Sequence, residues 1–151
     1  MLTVLGMASF MVNNAFAQIG WTLEQCRKHW GMERIREIDG TYTFGYGFAL
    51  RSGSLFEKRV VFDRQGKVTD VTYFSNGNNT EGDGRPPVLD IPALLAIEKG
   101  VTWGPDPDQE GTTSRHEYFL GKKDGVALFH ARYFSGKVGE SLHVLPIDKP
   151  F

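Results

Sequence analysis

"SRHEYFLGKKDGVALFHARYFSGKVGESLHVL", residues 114–145, holds two turn signals, Asp124-Gly125 and Ser135-Gly136, each set between aromatic and β-branched runs. Two-residue loops ending in glycine are the commonest hairpin connections, because glycine accepts the positive φ that matches the twist of the flanking strands. The stretch therefore predicts three antiparallel strands, at 114–123, 126–134 and 137–145. Counting outward from the turns puts Tyr133 opposite Val138 and Phe129 opposite Leu142, with Tyr118 and Leu120 on that same, core-facing side. The reverse side then carries Glu117, Phe119, Leu128, His130, Arg132, Ser141 and His143. Glu140 falls on the core side opposite Ala131, out of keeping with its charge.

Upstream the same grammar occurs again. Tyr42, Phe44, Tyr46, Phe48 and Leu50 alternate with Thr43, Gly45, Gly47 and Ala49, a period of two that gives one bulky face and one small one. Residues 55–63 and 67–74 form a hairpin over Asp63-Arg64-Gln65-Gly66, with Gly66 at the left-handed position. Each set of three strands is preceded by a short helix. In "IGWTLEQCRKHWG", residues 19–31, Thr22 and Gln25 have the spacing of a capping box and Trp21 and Cys26 that of a hydrophobic staple. Leu23, Cys26 and Trp30 share a face, and Gly31 supplies the stop. The second helix reads from Asp90 as N-cap, with Pro92 in the first turn, Leu94, Leu95 and Ile97 apolar, and Gly100 at the end.

Trp-Gly recurs at 30–31 and 103–104, and Gly-Lys-Val at 66–68 and 136–138. These echoes predict an α+β fold, a tandem repeat of a short helix plus a three-stranded antiparallel sheet, with the helices on one face. The first repeat spans 18–75 and the second 90–151, joined by a Gly-, Asn- and Pro-rich linker at 76–89.

All 17 Lys and Arg and all 18 Asp and Glu lie after Ala17. The uncharged opening contains the apolar run 3–12 and then Ala15-Phe16-Ala17, an A-x-A cleavage pattern, so 1–17 reads as a signal peptide and the mature chain is expected to start at Gln18. No Lys or Arg precedes the apolar run. The run is interrupted by Asn13-Asn14 before it reaches the length of a span, so no integral membrane span is expected. The single cysteine, Cys26, excludes an internal disulfide. A net charge of -1 gives no electrostatic reason for nucleic acid.

The capped-helix motif, carried by Gly20, Thr22, Gln25 and Gly31, resembles that of the β-lactamase-inhibitor-protein and SmpA/OmlA outer-membrane-assembly-lipoprotein superfamily. The 60–71 strand pair, "VVFDRQGKVTDV", is similar to that superfamily's late hairpin. The resemblance implies a module that presents a sheet or loop surface to another protein, with no catalytic residues. Trp21 stands where the superfamily usually has Met, and the second helix, "LDIPALL", lacks the Gly-x-Thr start.

Three constellations compete with that reading. Glu117, His130 and Ser141 would supply acid, base and hydroxyl on one sheet face, but no glycine loop follows Ser141 to make an oxyanion hole. "DPDQEGTTSRHE", residues 106–117, has the spacing of a calcium loop, yet Pro105 and Pro107 preclude the incoming helix. His29, His116, His130 and His143 lack zinc-ligand spacing. Asn78-Asn79-Thr80 is a formal glycosylation sequon.

The expectation is an exported, periplasmic or extracellular, non-enzymatic, monomeric module with no metal and no cofactor. It binds another protein through Tyr73, Glu117, Phe119, Leu128, His130, Arg132 and His143. The alternative is a small envelope hydrolase or metal-binding protein using the same exposed face.

Overall fold

Strand makes up 54% of the residues described by the computed structural model and helix 12%, so the sheet organises the molecule and the helices only cover it. The described residues are 18–49, 55–75, 88–98, 100–109, 115–136 and 139–151. Helix α1, Leu23–Trp30, is followed by β1 (Glu33–Arg36), β2 (Thr41–Ala49), β3 (Leu55–Phe62) and β4 (Val68–Phe74). Helix α2, Ile91–Leu95, is followed by β5 (Thr102–Pro105), β6 (His116–Lys123), β7 (Val126–Gly136) and β8 (Gly139–Pro146).

All eight strands form one antiparallel sheet in the order β1-β2-β3-β4-β8-β7-β6-β5. This overturns the expected repeat of a helix with a three-stranded sheet: there are four strands after each helix, and they do not form separate sheets. The seam is the pairing of β4 with β8, where Val71, Tyr73 and Phe74 lie opposite Val144, Leu142 and Ser141. The strands absent from the sequence reading are β1 and β5, the two edges of the sheet. Both are only four residues long, and neither Glu-Arg-Ile-Arg nor Thr-Trp-Gly-Pro shows a hydrophobic alternation. The Trp-Gly echo does not survive either, since Trp30 ends α1 while Trp103 lies within β5.

Local chemistry accounts for the elements that were expected. The Thr22 hydroxyl accepts the Gln25 amide at 3.2 Å and the Gln25 side chain accepts the Thr22 amide at 2.8 Å, closing the capping box that starts α1. Asp63 accepts the amides of Gln65 and Lys67 at 2.9 and 2.8 Å, and Gly66 has φ +71°, which closes the β3–β4 turn.

Residues directly opposite in an antiparallel sheet share a face. The register therefore groups Tyr42, Phe44, Val60, Val71, Tyr73, Leu142, Val144 and Ala131 on one side. Those residues join Cys26 of α1 and Leu94 and Leu95 of α2 in one buried cluster, so both helices lie over the same face. Under α1 the core is built on β2 and β3, with Trp30 against Phe44 and Lys58. There the Trp30 and Phe44 rings meet edge to face at 5.1 Å, and Trp30 stacks at 5.4 Å on Trp21. The side chains of residues 46–50, and residues 76–87 of the linker with its sequon, lie outside the described residues.

Candidate functional site

In the second half the register departs from simple counting, and the departure builds the site. Next to the Asp124-Gly125 turn, Lys123 pairs with Val126 and Lys122 with Ala127, as expected. Beyond them Gly121 pairs with Phe129, leaving Leu128 as the extra residue of a β-bulge. A one-residue slip exchanges the two faces of a strand. Glu117 and Phe119 consequently lie opposite Tyr133 and Ala131 on the helix-bearing face, while Tyr118 and Leu120 lie opposite Arg132 and His130 on the reverse face. This corrects the expected placement of all four side chains.

The second turn is also displaced. Gly136 pairs with Gly139, so Tyr133 faces Leu142, Phe129 faces Pro146 and His130 faces Leu145. The partner shift is even, so β7 and β8 keep their expected faces, but Ser141 moves opposite Phe134. It stands four residues along β8 from the partner of His130, about 13 Å at the usual rise per residue. With Glu117 on the other side of the sheet, the expected acid, base and hydroxyl are not brought together.

The seven residues expected to form a binding surface are therefore divided. Tyr73 is fully buried in the core. Glu117 and Phe119 are on the helix-bearing side and Leu128 sits in the bulge. His130, Arg132 and His143 do share the reverse face, but the C-terminal Phe151 ring lies among them. Its centroid is 4.1 Å from that of His130, and the Arg132 guanidinium is 5.1 Å from it. The His143 Nε2 is 2.7 Å from the Asp70 carboxylate. Glu140 finds its explanation on the helix-bearing side, where its carboxylate accepts the Tyr133 hydroxyl and the Leu89 amide, both at 2.6 Å.

Among the described residues a concave feature lies at the β5 edge. A cavity of about 480 Å³ opens between α2 and the helix-bearing side of β5 and β6, with Ile91 and Leu95 on the helix and Trp103, Glu117 and Phe119 on the strands. Its volume is in the range of ligand sites. A second cavity of about 160 Å³ lies against Thr102, Gly104, Leu120 and Lys122 on the reverse side of the same two strands. Gly121 permits this arrangement, because a Cβ there would stand 2.9 Å from the Trp103 ring and from Val101. The indole thus lies flat across Gly121 as the floor of the larger cavity. Its Nε1 is buried without a hydrogen-bond partner among the described residues.

Strand β5 also offers backbone. The Asp106 amide donates to the Tyr118 carbonyl at 3.0 Å, and the alternation of an antiparallel ladder then directs the amide and carbonyl of Trp103 away from β6. Pro105 has no amide to offer, which keeps this edge short.

A second polar group of residues sits in the core itself. Lys58 of β3 is 3% exposed, with its Nζ 3.8 Å from the Trp30 ring centroid, and Glu98 just after α2 is 1% exposed. Burial pushes the Lys58 ammonium down to about 7 and the Glu98 carboxyl up to about 7, each opposed in part by the other's charge. Burial also raises the neighbouring Tyr73 hydroxyl and pushes the Cys26 thiol up to about 12.

No group of three or more His, Cys, Asp or Glu among the described residues could hold a metal ion, and no helix among them is long and apolar enough to cross a membrane. Five residues of the calcium-like stretch, 110–114, lie outside the described residues. Compared with known proteins, the chain matches no family model, no curated protein and no solved structure.

Proposed function

We propose that the chain is an exported, non-enzymatic module that binds an extended segment of another protein along β5. The observation behind this reading is that cavities flank one edge strand on both of its faces. An extended peptide alternates its side chains at every residue, so a segment laid along β5 would direct one side chain into each cavity while its backbone meets Trp103. The larger cavity suits a bulky apolar residue, whose burial is worth about 1.5–3 kcal/mol. Glu117 at its wall favours a neighbouring cation. Lys122 beside the smaller cavity favours a carboxylate or a polar side chain there. The likeness of the α1 motif to a superfamily that presents surfaces to proteins agrees with this reading, as does the leader-like opening with its export to the periplasm or the exterior.

Panning an unbiased library of short peptides against the purified protein tests the proposal. Enrichment of peptides with a bulky apolar residue, lost in Phe119→Lys protein that remains folded, is the expected result. Equal enrichment by wild type and variant, or none by either, removes β5 as the binding edge. Saturable binding of a free apolar dye with no peptide enrichment would assign the cavity to small ligands.

A further inference from the structure

Two observations made separately converge on one nitrogen atom. The A-x-A pattern places the cleaved bond between Ala17 and Gln18. The backbone nitrogen of Gln18 is buried and donates to Glu98 Oε2 at 2.9 Å, across 80 residues of sequence. The other carboxylate oxygen, Glu98 Oε1, is buried with no hydrogen-bond partner among the described residues. The Gln18 side chain is held as well, its Oε1 accepting the Tyr73 hydroxyl at 3.0 Å.

A buried carboxylate with one oxygen unsatisfied is a costly thing to keep in a core, and a peptide amide can give it only one proton. An ammonium group has three and carries the opposite charge. We propose that removal of residues 1–17 turns the Gln18 nitrogen into an α-ammonium group that Glu98 holds as a buried ion pair, so that export processing completes the core. The proposal rests on the export reading above. The step is peptide hydrolysis by a leader-removing peptidase: water's oxygen goes to the Ala17 carbonyl carbon and the C–N bond breaks. The Ala17 carboxylate and the Gln18 ammonium leave as separate ends.

The charges facing this nitrogen come from every element packed on it. Lys58 of β3 and Glu98 beyond α2 are of opposite charge when ionised, burial drawing each towards neutrality, while Tyr73 of β4 and Cys26 of α1 stay neutral because burial opposes their ionisation. The bound ammonium adds a positive charge beside Glu98 and leaves Lys58 less needed as its counter-ion. It also gives Gln18 a chemical signature. A free N-terminal glutamine cyclises when its neutral amine attacks its own side-chain amide and expels ammonia. An amine held protonated by Glu98, with its side chain pinned by Tyr73, does neither.

The full chain is produced with its leader in an exporting bacterial host and recovered from the envelope, and its first residue is read by intact mass and N-terminal sequencing. The expected start is Gln18 with its amine free. Native protein is then treated with an amine-terminus-selective aldehyde, and with glutaminyl cyclase, beside the urea-unfolded protein. Both reactions are expected to be at least about tenfold slower in the native state, the factor that one pKa unit of differential interaction corresponds to. Folded Glu98→Gln is expected to lose that protection, and the wild-type comparison stands alone if the variant does not fold. An intact Met1 overturns the export reading and this inference together, and a cleaved start at a residue other than Gln18 overturns this inference alone. A Gln18 start that reacts equally fast native and unfolded overturns the buried ion pair and leaves the export reading standing.

Discussion

The two halves of the sheet run the same course, a helix and then four antiparallel strands, yet the space under their helices is filled differently. In the first half α1 has eight residues, a capping box at its start and Gly31 at its end, and it lies across β2 and β3 with Trp30 against Phe44. In the second half α2 has five residues, and it leaves the outer strands β5 and β6 partly uncovered. Among the described residues the first half is thus a packed core and the second a receptacle. A short helix with no capping box cannot cover four strands, and the strand pair it misses becomes the concave surface.

That contrast can be broken at named residues. Phe44→Ala removes a ring with no exposed surface and is expected to cost about 3–5 kcal/mol in urea denaturation. Phe119→Ala, whose ring borders the cavity, is expected to cost less than half as much. Equal losses would mean that the second half is packed like the first.

Lys58→Met tests the charge held under α1. The Lys58 ammonium titrates near 7 in the folded protein and at its ordinary 10.5 when unfolded. Between those values the unfolded chain binds more protons, so this group makes stability rise with pH from about 7 to 10.5 and contributes a constant penalty below 7. The variant is expected to lose that rise and to gain roughly a few kcal/mol relative to wild type at pH 6 compared with pH 10. A wild-type melting temperature that does not climb across that window would count against a buried ammonium.

Gly121→Val drives a side chain into the Trp103 ring and is expected to cost about 1–3 kcal/mol. It should also abolish peptide enrichment, because the indole must leave its place on the cavity floor. Thr22→Ala removes the α1 cap and should cost about 1 kcal/mol while leaving binding at β5 intact.

Legibility in the sequence followed the range of the forces involved. The α1 cap, the Asp63–Gly66 turn and the Asp124-Gly125 turn are settled by hydrogen bonds and backbone preferences within four residues, and each is found where the residues put it. The site was not legible, for two reasons. Nothing in "GVALFH" marks Leu128 as an extra residue, and that one bulge sent Phe119 and Glu117 to the side opposite the one counting gave them. The edge strands β1 and β5 gain their structure from a single neighbour and show no apolar alternation of their own. A useful signal was nevertheless present: Gly121 interrupts an otherwise bulky strand, and such a gap marks close approach by another group, here the indole of Trp103.

The residues themselves settle the two helix starts, the Asp63–Gly66 and Asp124-Gly125 turns and the antiparallel character of the strands, all of which depend on contacts or patterns between near neighbours. The tertiary structure alone decided that eight strands join into one sheet through β4 and β8. It also decided which face each side chain of β6 takes, and that Glu98 and Lys58 share a core with Gln18. These outcomes depend on packing between segments up to 80 residues apart, where one slip in register or one helix a few residues shorter changes what is buried and what is left open.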